Sequence, residues 1–382
     1  MGRRRRQLGV AVAGAASLIG MCFGATAPAN AAGPDGHGPD GPKVVATGLD
    51  NPRQLSFTAS GSLLVAEAGE GGTGTCTTGP DGGDVCFGTT GAITQITSHG
   101  RQSRIVTGLP SLAAKETGAE ATGPSDVLGT GRKVTILIGL GADPAVRASL
   151  PAAGRRLGTL VQTKGRSGKL RTIADVSAWE AKNNPVDDPD SNPVGMLHEH
   201  GRYVVADAGG NTVLRVGRRG GVRLLSAFED RQVDAPPFLG LPPGAKVPMQ
   251  AVPTSVATRG RDGAYYVSQL TGFPFPAGAA NIYRIDRRTG ERTVYASGLT
   301  NVTDLAFHHG RLYAVQLAAN GLLNGPVGSV VTVKAGGTVP ADHTVVAGDL
   351  PEPYGIAIRG HDAYITTHSA SKDVGEVVRV HL

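Results

Sequence analysis

Apolar residues in this chain come in short alternating runs set between glycine turns, and the runs recur as a unit. The unit begins with a proline or its equivalent and a short apolar strand. A glycine turn, a second apolar strand and a third strand of the form G-x-(I/V)-x-(R/Q)-(I/V) follow. Copies begin at Pro52 (QLSF, GSLLVAEA, GAITQIT), Pro124 (SDVLG, KVTILIGLG, GTLVQT) and Pro193 (VGML, RYVVADAG, NTVLRVG). Three more begin at Pro253 (TSVAT, AYYVSQL, ANIYRID), near Val302 (TDLAF, RLYAVQL, GSVVTVK) and at Pro353 (YGIAI, DAYITTH, GEVVRVH). Period-two alternation bounded by turn residues predicts strands, and self-similarity at this spacing predicts a ring or array of sheets.

Five copies end in a further strand, such as RIVTGL, RTIAD, VRLLSA, RTVYASGL and HTVVAGDL. The sixth lacks it, because the sequence ends at Leu382, whereas KVVATGL (Lys43 to Leu49) precedes the first copy and resembles RTVYASGL. The N-terminal strand is therefore expected to complete the last sheet, so that no edge is left unpaired between the termini. The fold class that follows is all-β: a single six-bladed β-propeller of four-stranded blades over residues 43–382. Two inserts interrupt the pattern. Asp143-Pro144 reads as a helix N-cap with proline at the first helical position, and Asp175 to Asn184, which carries Trp179, reads as a second short helix packed on the ring.

Composition agrees, with 57 glycines, 4% aromatic residues and few stretches of helical period. The N-terminal end is different in kind. Arg3 to Arg6, an apolar run from Val10 to Phe23 and Ala29-Asn30-Ala31 have the order of a signal peptide over residues 1–31, cleaved after Ala31. The apolar run is too short to span a membrane. Arg5-Arg6-Gln7-Leu8 leaves Sec and twin-arginine export both open. Residues 32–42, rich in glycine and proline, read as a disordered leader. The protein is thus expected outside the cell, as a monomer without a membrane span. Four of the 37 basic residues leave with the signal and none of the 31 acids does, which leaves 33 against 31 and removes the case for nucleic acid. Cleavage also removes Cys22, so that Cys76 and Cys86 remain as an expected disulfide in a glycine-rich loop.

Loops entering the first strand and leaving the second strand of each propeller blade converge on one face, where function is expected. The polar residues at those places are Asn51, Arg53, Asp126, Asn192, Thr254, Ser255, Asn301, Thr303, Asp304 and Tyr354, and then Glu67, Asp207, Asn211, Gln269, Gln316 and His368. They either satisfy backbone groups around a channel or form a ligand site. Glu67, Asp207 and Asp304, with Asp126 beside them, are the candidate ligands of a calcium ion, which takes hard oxygen donors. Six-bladed lactonases hold calcium with Glu, Asn and Asp at such positions, an analogy of fold alone. Phe273 and Phe275 in TGFPFP form a stiff loop expected on the same face, as an apolar plug or a ligand anchor. Other motifs are excluded by context. Asp188 to Glu199 has Pro193 where a calcium loop needs glycine, Gly69-x-Gly71-x-x-Gly74 opens no helix, and His198-x-His200 has no third zinc ligand. No nucleophile motif is present.

Several long motifs resemble a known family. GLDNPR, VAEAG, the cysteine loop with GTTGAIT, IGLGADPAVRA, NNPVDDPDSNPVGML, VVADAGGN, MQAVPTSVA, YYVSQLTGFPFPAGAAN and AANGLL together resemble the ScyD/ScyE family of secreted propeller proteins. The resemblance covers Lys43 to Leu382 and implies an extracytoplasmic, NHL-like propeller, with no catalytic residues to carry over. Two functions stand against each other. One is a non-catalytic module that binds a small molecule or a protein. The alternative is a calcium-dependent, lactonase-like hydrolase; a weaker third, a quinoprotein sugar dehydrogenase, would need a channel histidine, for which only His368 is placed.

Overall fold

The computed structural model describes residues 41–79, 82–163, 169–186 and 190–382. The expected signal peptide, almost all of the expected leader and Asp188 lie outside them. Among the described residues the chain is all-β apart from one α-helix and five-residue or shorter 3-10 turns. The first sheet holds Pro52–Phe57, Leu63–Glu67, Asp84–Ile96 and Gln102–Ala114 in that spatial order. The second holds Pro124–Thr130, Lys133–Ile138, Thr159–Thr163 and Leu170–Asp175, and the third Pro193–Glu199, Arg202–Asp207, Thr212–Val216 and Val222–Ala227. The fourth holds Pro253–Ala257, Ala264–Gln269, Ala280–Asp286 and Arg292–Leu299, and the fifth Val302–His308, Arg311–Gln316, Val327–Val333 and Thr344–Pro351. The sixth is made of Ile356–Arg359, Asp362–Thr367 and Gly375–His381, and its fourth strand is the N-terminal Lys43–Leu49.

All pairings are antiparallel, as hairpin connections require. Second strands such as Leu63–Glu67 and Ala264–Gln269 are buried along their whole length, because both faces meet neighbouring sheets. Apolar clusters fill the spaces between consecutive sheets. One joins the first and second sheets through Ile93, Leu109, Ile136 and Val161. Another joins the last sheet to the first through Leu49, Val377, Leu63 and Val65. Truncating one such leucine to alanine costs about 2–5 kcal/mol.

Two features depart from the repeat. The first sheet has a fifth strand, Cys76–Thr78, which pairs with the start of Asp84–Ile96 and places Cys76 opposite Cys86, where they form a disulfide. A seventh, two-stranded sheet, Arg231–Asp234 with Lys246–Met249, is inserted before the fourth. Its strands are short and its tip is proline-rich, which hides it from a search for apolar alternation. The two helical inserts form where expected. Asp143 caps the 3-10 turn Pro144–Ala148 by accepting from Ala145 N at 2.8 Å, and Asp175 caps the helix Val176–Asn183 by accepting from Ala178 N at 2.9 Å. Trp179 is half-buried on that helix. No helix among the described residues is long and apolar enough to cross a membrane.

Candidate functional site

The first strands set up the site. In five of the six sheets the pairing between first and second strands slips near its start, as between Pro124 and Asp126 or between Val302 and Asp304. Such a bulge re-aims the side chains that follow the opening residue. Hydrogen bonds then tie the first strands to their neighbours. Ser125 Oγ donates to Pro193 O at 2.9 Å, Thr254 Oγ1 to Val302 O at 2.7 Å and Thr303 Oγ1 to Tyr354 O at 2.6 Å. Thr366 Oγ1 of the sixth sheet donates to Arg53 O of the first at 2.9 Å. Asp126 and Asp304 play one role in two sheets. Each accepts a backbone N–H from the next first strand, Met196 N at 2.7 Å and Ile356 N at 2.8 Å.

Gln54 reaches further, donating from the first sheet to Thr254 O of the fourth at 3.2 Å. Gly195 makes room for that crossing, since a Cβ there would lie 2.3 Å from the Thr254 oxygen. Beside it a pocket of about 690 Å³, including its open mouth, is walled by Ala68, Val194, Ala208, Val252, Leu270 and Leu317. Its polar groups are Arg53, Glu120, Thr122, Ser125, Asn192, Thr254 and Tyr354. Arg53 is 8% exposed, donates from Nη2 to Ala121 O at 2.7 Å and lies 4.9 Å from the centre of the Tyr354 ring. Burial lowers the Arg53 pKa and raises that of Tyr354, while the charge of each opposes the effect on the other. A guanidinium stays protonated through such a shift. Burial also pushes Asp126 well above the carboxylate range, with the charge of Asp304 adding to it, and pushes Asp304 up to about 6.

Of the residues expected at the mouth, Arg53, Asn192, Tyr354 and Thr254 line this pocket. The others are held elsewhere. Glu67, Asp207, Gln269 and Gln316 end second strands and each accepts a backbone N–H. The donors are Asp50 at 2.9 Å, Asn192 at 2.6 Å, Asn281 at 3.2 Å and Thr300 at 2.7 Å. Asn211 and Asn301 have left-handed φ of 52° and 42°, and accept from Val252 N and Leu322 N. Asparagine tolerates that backbone better than most residues. His368 shares it, with φ of 51°, and its ring does not line the pocket. The carboxylates and amides of Glu67, Asp207, Gln269, Gln316, Asn211 and Asn301 satisfy loop donors that would otherwise be orphaned.

Glu67, Asp207 and Asp304 are not gathered into one cluster of acids. They stand in the first, third and fifth sheets. Glu67 is fully buried and accepts from Thr94 Oγ1 at 2.5 Å and Arg104 Nη2 at 2.6 Å. Asp207 accepts from Ser191 Oγ at 2.7 Å, and Asp304 from Ser255 Oγ at 2.6 Å. Among the described residues no three His, Cys, Asp or Glu side chains come together to hold a metal. Phe275 is buried and Phe273 half-buried; Phe273 packs edge-on to Phe275 and to Phe238 of the inserted hairpin, each at 6.2 Å, and neither lines the pocket.

Sequence reasoning missed three participants. Glu120 sits in a loop with no counterpart in other repeats. Arg104 lies on an outer strand, where a charge is unremarked. Glu180 hides in a short helix yet is 1% exposed, accepting from Asn184 Nδ2 at 2.9 Å and from Thr212 Oγ1, and burial followed by the charge of Asp207 raises its pKa.

No protein-family model and no curated protein matches the chain by sequence. Solved structures do match. The PQQ-bound form of aldose sugar dehydrogenase from Streptomyces coelicolor is 14% identical, with 89% of this chain and 96% of that one covered at a TM-score of 0.50. A protein of unknown function from Bacteroides thetaiotaomicron is 10% identical, with 91% and 72% covered, also at 0.50. The fold is a β-propeller. At these identities the likeness extends to fold alone.

Proposed function

We propose that this is an exported, non-catalytic binding propeller of six blades, of the ScyD/ScyE kind, and that its mouth pocket takes a small ligand or partner group with a carboxylate set against an apolar body. The contacts that pass from each first strand to the next, and from the sixth sheet back to the first, support the count of six and closure by Lys43–Leu49. The disulfide in the first sheet is in keeping with export. The observation that carries the binding reading is Arg53: a guanidinium braced by Tyr354 and Ala121 O in a pocket with mainly apolar walls, which Glu120 also lines. A buried cation of fixed orientation recognises a carboxylate strongly, and the alkyl walls take the remainder.

The hydrolase alternative has no such support, because its three acids are apart and occupied by donors. The sugar dehydrogenase of the same fold lends no chemistry, since His368 does not face the pocket.

Thermal unfolding of the mature protein against a panel of short aliphatic and aromatic carboxylates tests the reading. A ligand at a hundredfold excess over its Kd adds about 2.7 kcal/mol. At least one acid should raise the midpoint, its amide should not, and Arg53→Gln should abolish the rise. A panel without effect, or a rise that survives Arg53→Gln, overturns it.

A further inference from the structure

A second surface lies at the opposite ends of the strands. A groove of about 1750 Å³, including its open side, runs between the third and fourth sheets where first strands turn into second strands. Arg202, Arg215, Arg219, Arg223 and Arg288 line it. Four of these are exposed and Arg215 is half-buried. Among the described residues their guanidiniums make no hydrogen bond or ion pair. Two further arginines build the frame. Arg218 donates to His200 O at 3.1 and 2.9 Å, fixing one turn to another. Arg287 pairs with Glu199 at 2.5 Å and stacks on Tyr265 at 4.9 Å. Glu199, the one acid in the groove, is thereby taken up, since it also accepts from the Tyr265 hydroxyl at 2.9 Å.

The geometry points to this groove as a binding site for a polyanionic polysaccharide that carries sulfate or phosphate esters. Guanidiniums do not titrate near neutrality and match tetrahedral oxyanions through paired N–H donors. These five, of which Arg288 also lies in the field of Asp286, are spread over strands and turns of two sheets, which suits successive groups on a chain rather than one small anion. The whole sequence has 37 basic and 31 acidic residues, so the concentration of seven arginines against one acid is local. Nucleic acid fits less well. Stacking of bases needs open aromatic faces. The two lining tyrosines are buried, with Tyr265 under Arg287 and Tyr203 against His198 at 4.9 Å.

The test is fluorescence anisotropy of the mature protein with a labelled heparin oligosaccharide, its desulfated form, a labelled phosphomannan as the phosphate polymer and a single-stranded DNA oligomer. Heparin or the phosphate polymer should bind, and the tighter of the two names the ester. Raising salt from about 50 to about 200 mM should weaken binding at least tenfold. Desulfation should abolish heparin binding. Arg219→Ser with Arg223→Ser should weaken binding at least tenfold, whereas Arg101→Ser with Arg132→Ser, exposed arginines on other sheets, should leave it within twofold. Circular dichroism should show all variants folded. Failure of both polymers to bind, equal loss in the control pair, or tighter binding of DNA than of either polymer would overturn the assignment.

Discussion

The Arg53 guanidinium lies 4.9 Å from the centre of the Tyr354 ring, and the two residues join the first sheet to the sixth at the wall of the mouth pocket. Each is 8% exposed. A desolvated cation over an aromatic face gains about 2 kcal/mol. Tyr354→Leu keeps apolar bulk and removes the face. Urea unfolding should show a loss of about 1–2 kcal/mol, and any carboxylate that binds through Arg53 should bind more weakly. Tyr354→Phe keeps the face and should retain both properties. An equal loss in the phenylalanine variant would assign the effect to the hydroxyl instead.

Glu67 decides between a staple and a metal ligand. Its carboxylate is fully buried and holds Arg104, Thr94 and Asp50 N. Removing one partner of a buried pair costs about 3–5 kcal/mol, and Arg104 is 42% exposed at its side chain, which moderates the penalty. Glu67→Ala should therefore lower stability by about 2–4 kcal/mol, with Arg104→Ala close behind. A chelator should leave the wild-type midpoint where it was. A fall with chelator that Glu67→Ala eliminates would restore the calcium reading.

The propeller was legible because each strand is written as a short alternating run, and because the missing outer strand of the last copy has its match at Lys43 to Leu49. The polar positions were legible too, since Glu67, Asp207, Gln269 and Gln316 recur at one place in the unit. Their role was not, because a carboxylate that accepts an N–H and one that binds a cation need the same residue in the same place. What separates them is the partner across the fold: Arg104 for Glu67, Ser191 for Asp207. The pocket itself depends on Glu120 and Ala121 from a loop unlike its counterparts, and the arginine groove on residues from two sheets whose turns read singly as ordinary solvated loops.

The disulfide should contribute measurably. It closes a ring of ten residues in sequence separation within the first sheet, with Cys86 buried. Loop closure of this size stabilises by about 3 kcal/mol, through restriction of the unfolded chain. Urea unfolding with and without reductant should differ by that order, and Cys76→Ser with Cys86→Ser should match the reduced protein. A variant that unfolds with the oxidised wild type would show that the strand Cys76–Thr78 is held by its pairing with Asp84–Ile96 alone.

Stability should fall as pH rises, the reverse of a protein held by surface ion pairs. Burial pushes Asp304 and Asp207 up to about 6 and Glu180 up to about 8. The same groups titrate near 4 in an unfolded chain. Between those values the folded state holds protons that the unfolded state has released, so stability is fully present below about pH 4 and is lost as pH rises through 6 to 8. The decline is steepest where all three groups contribute, at up to about 1.36 kcal/mol per pH unit per group. Glu180→Gln keeps an oxygen for the Thr212 hydroxyl and removes the charge facing Asp207. Urea midpoints of this variant should be flat between about pH 7 and 8, where wild type still declines, should fall less steeply than wild type between about pH 4 and 6, where Asp304 and Asp207 still contribute, and should run parallel to it only below about pH 4. A variant that runs parallel to wild type across the upper range would remove Glu180 as the source of that slope.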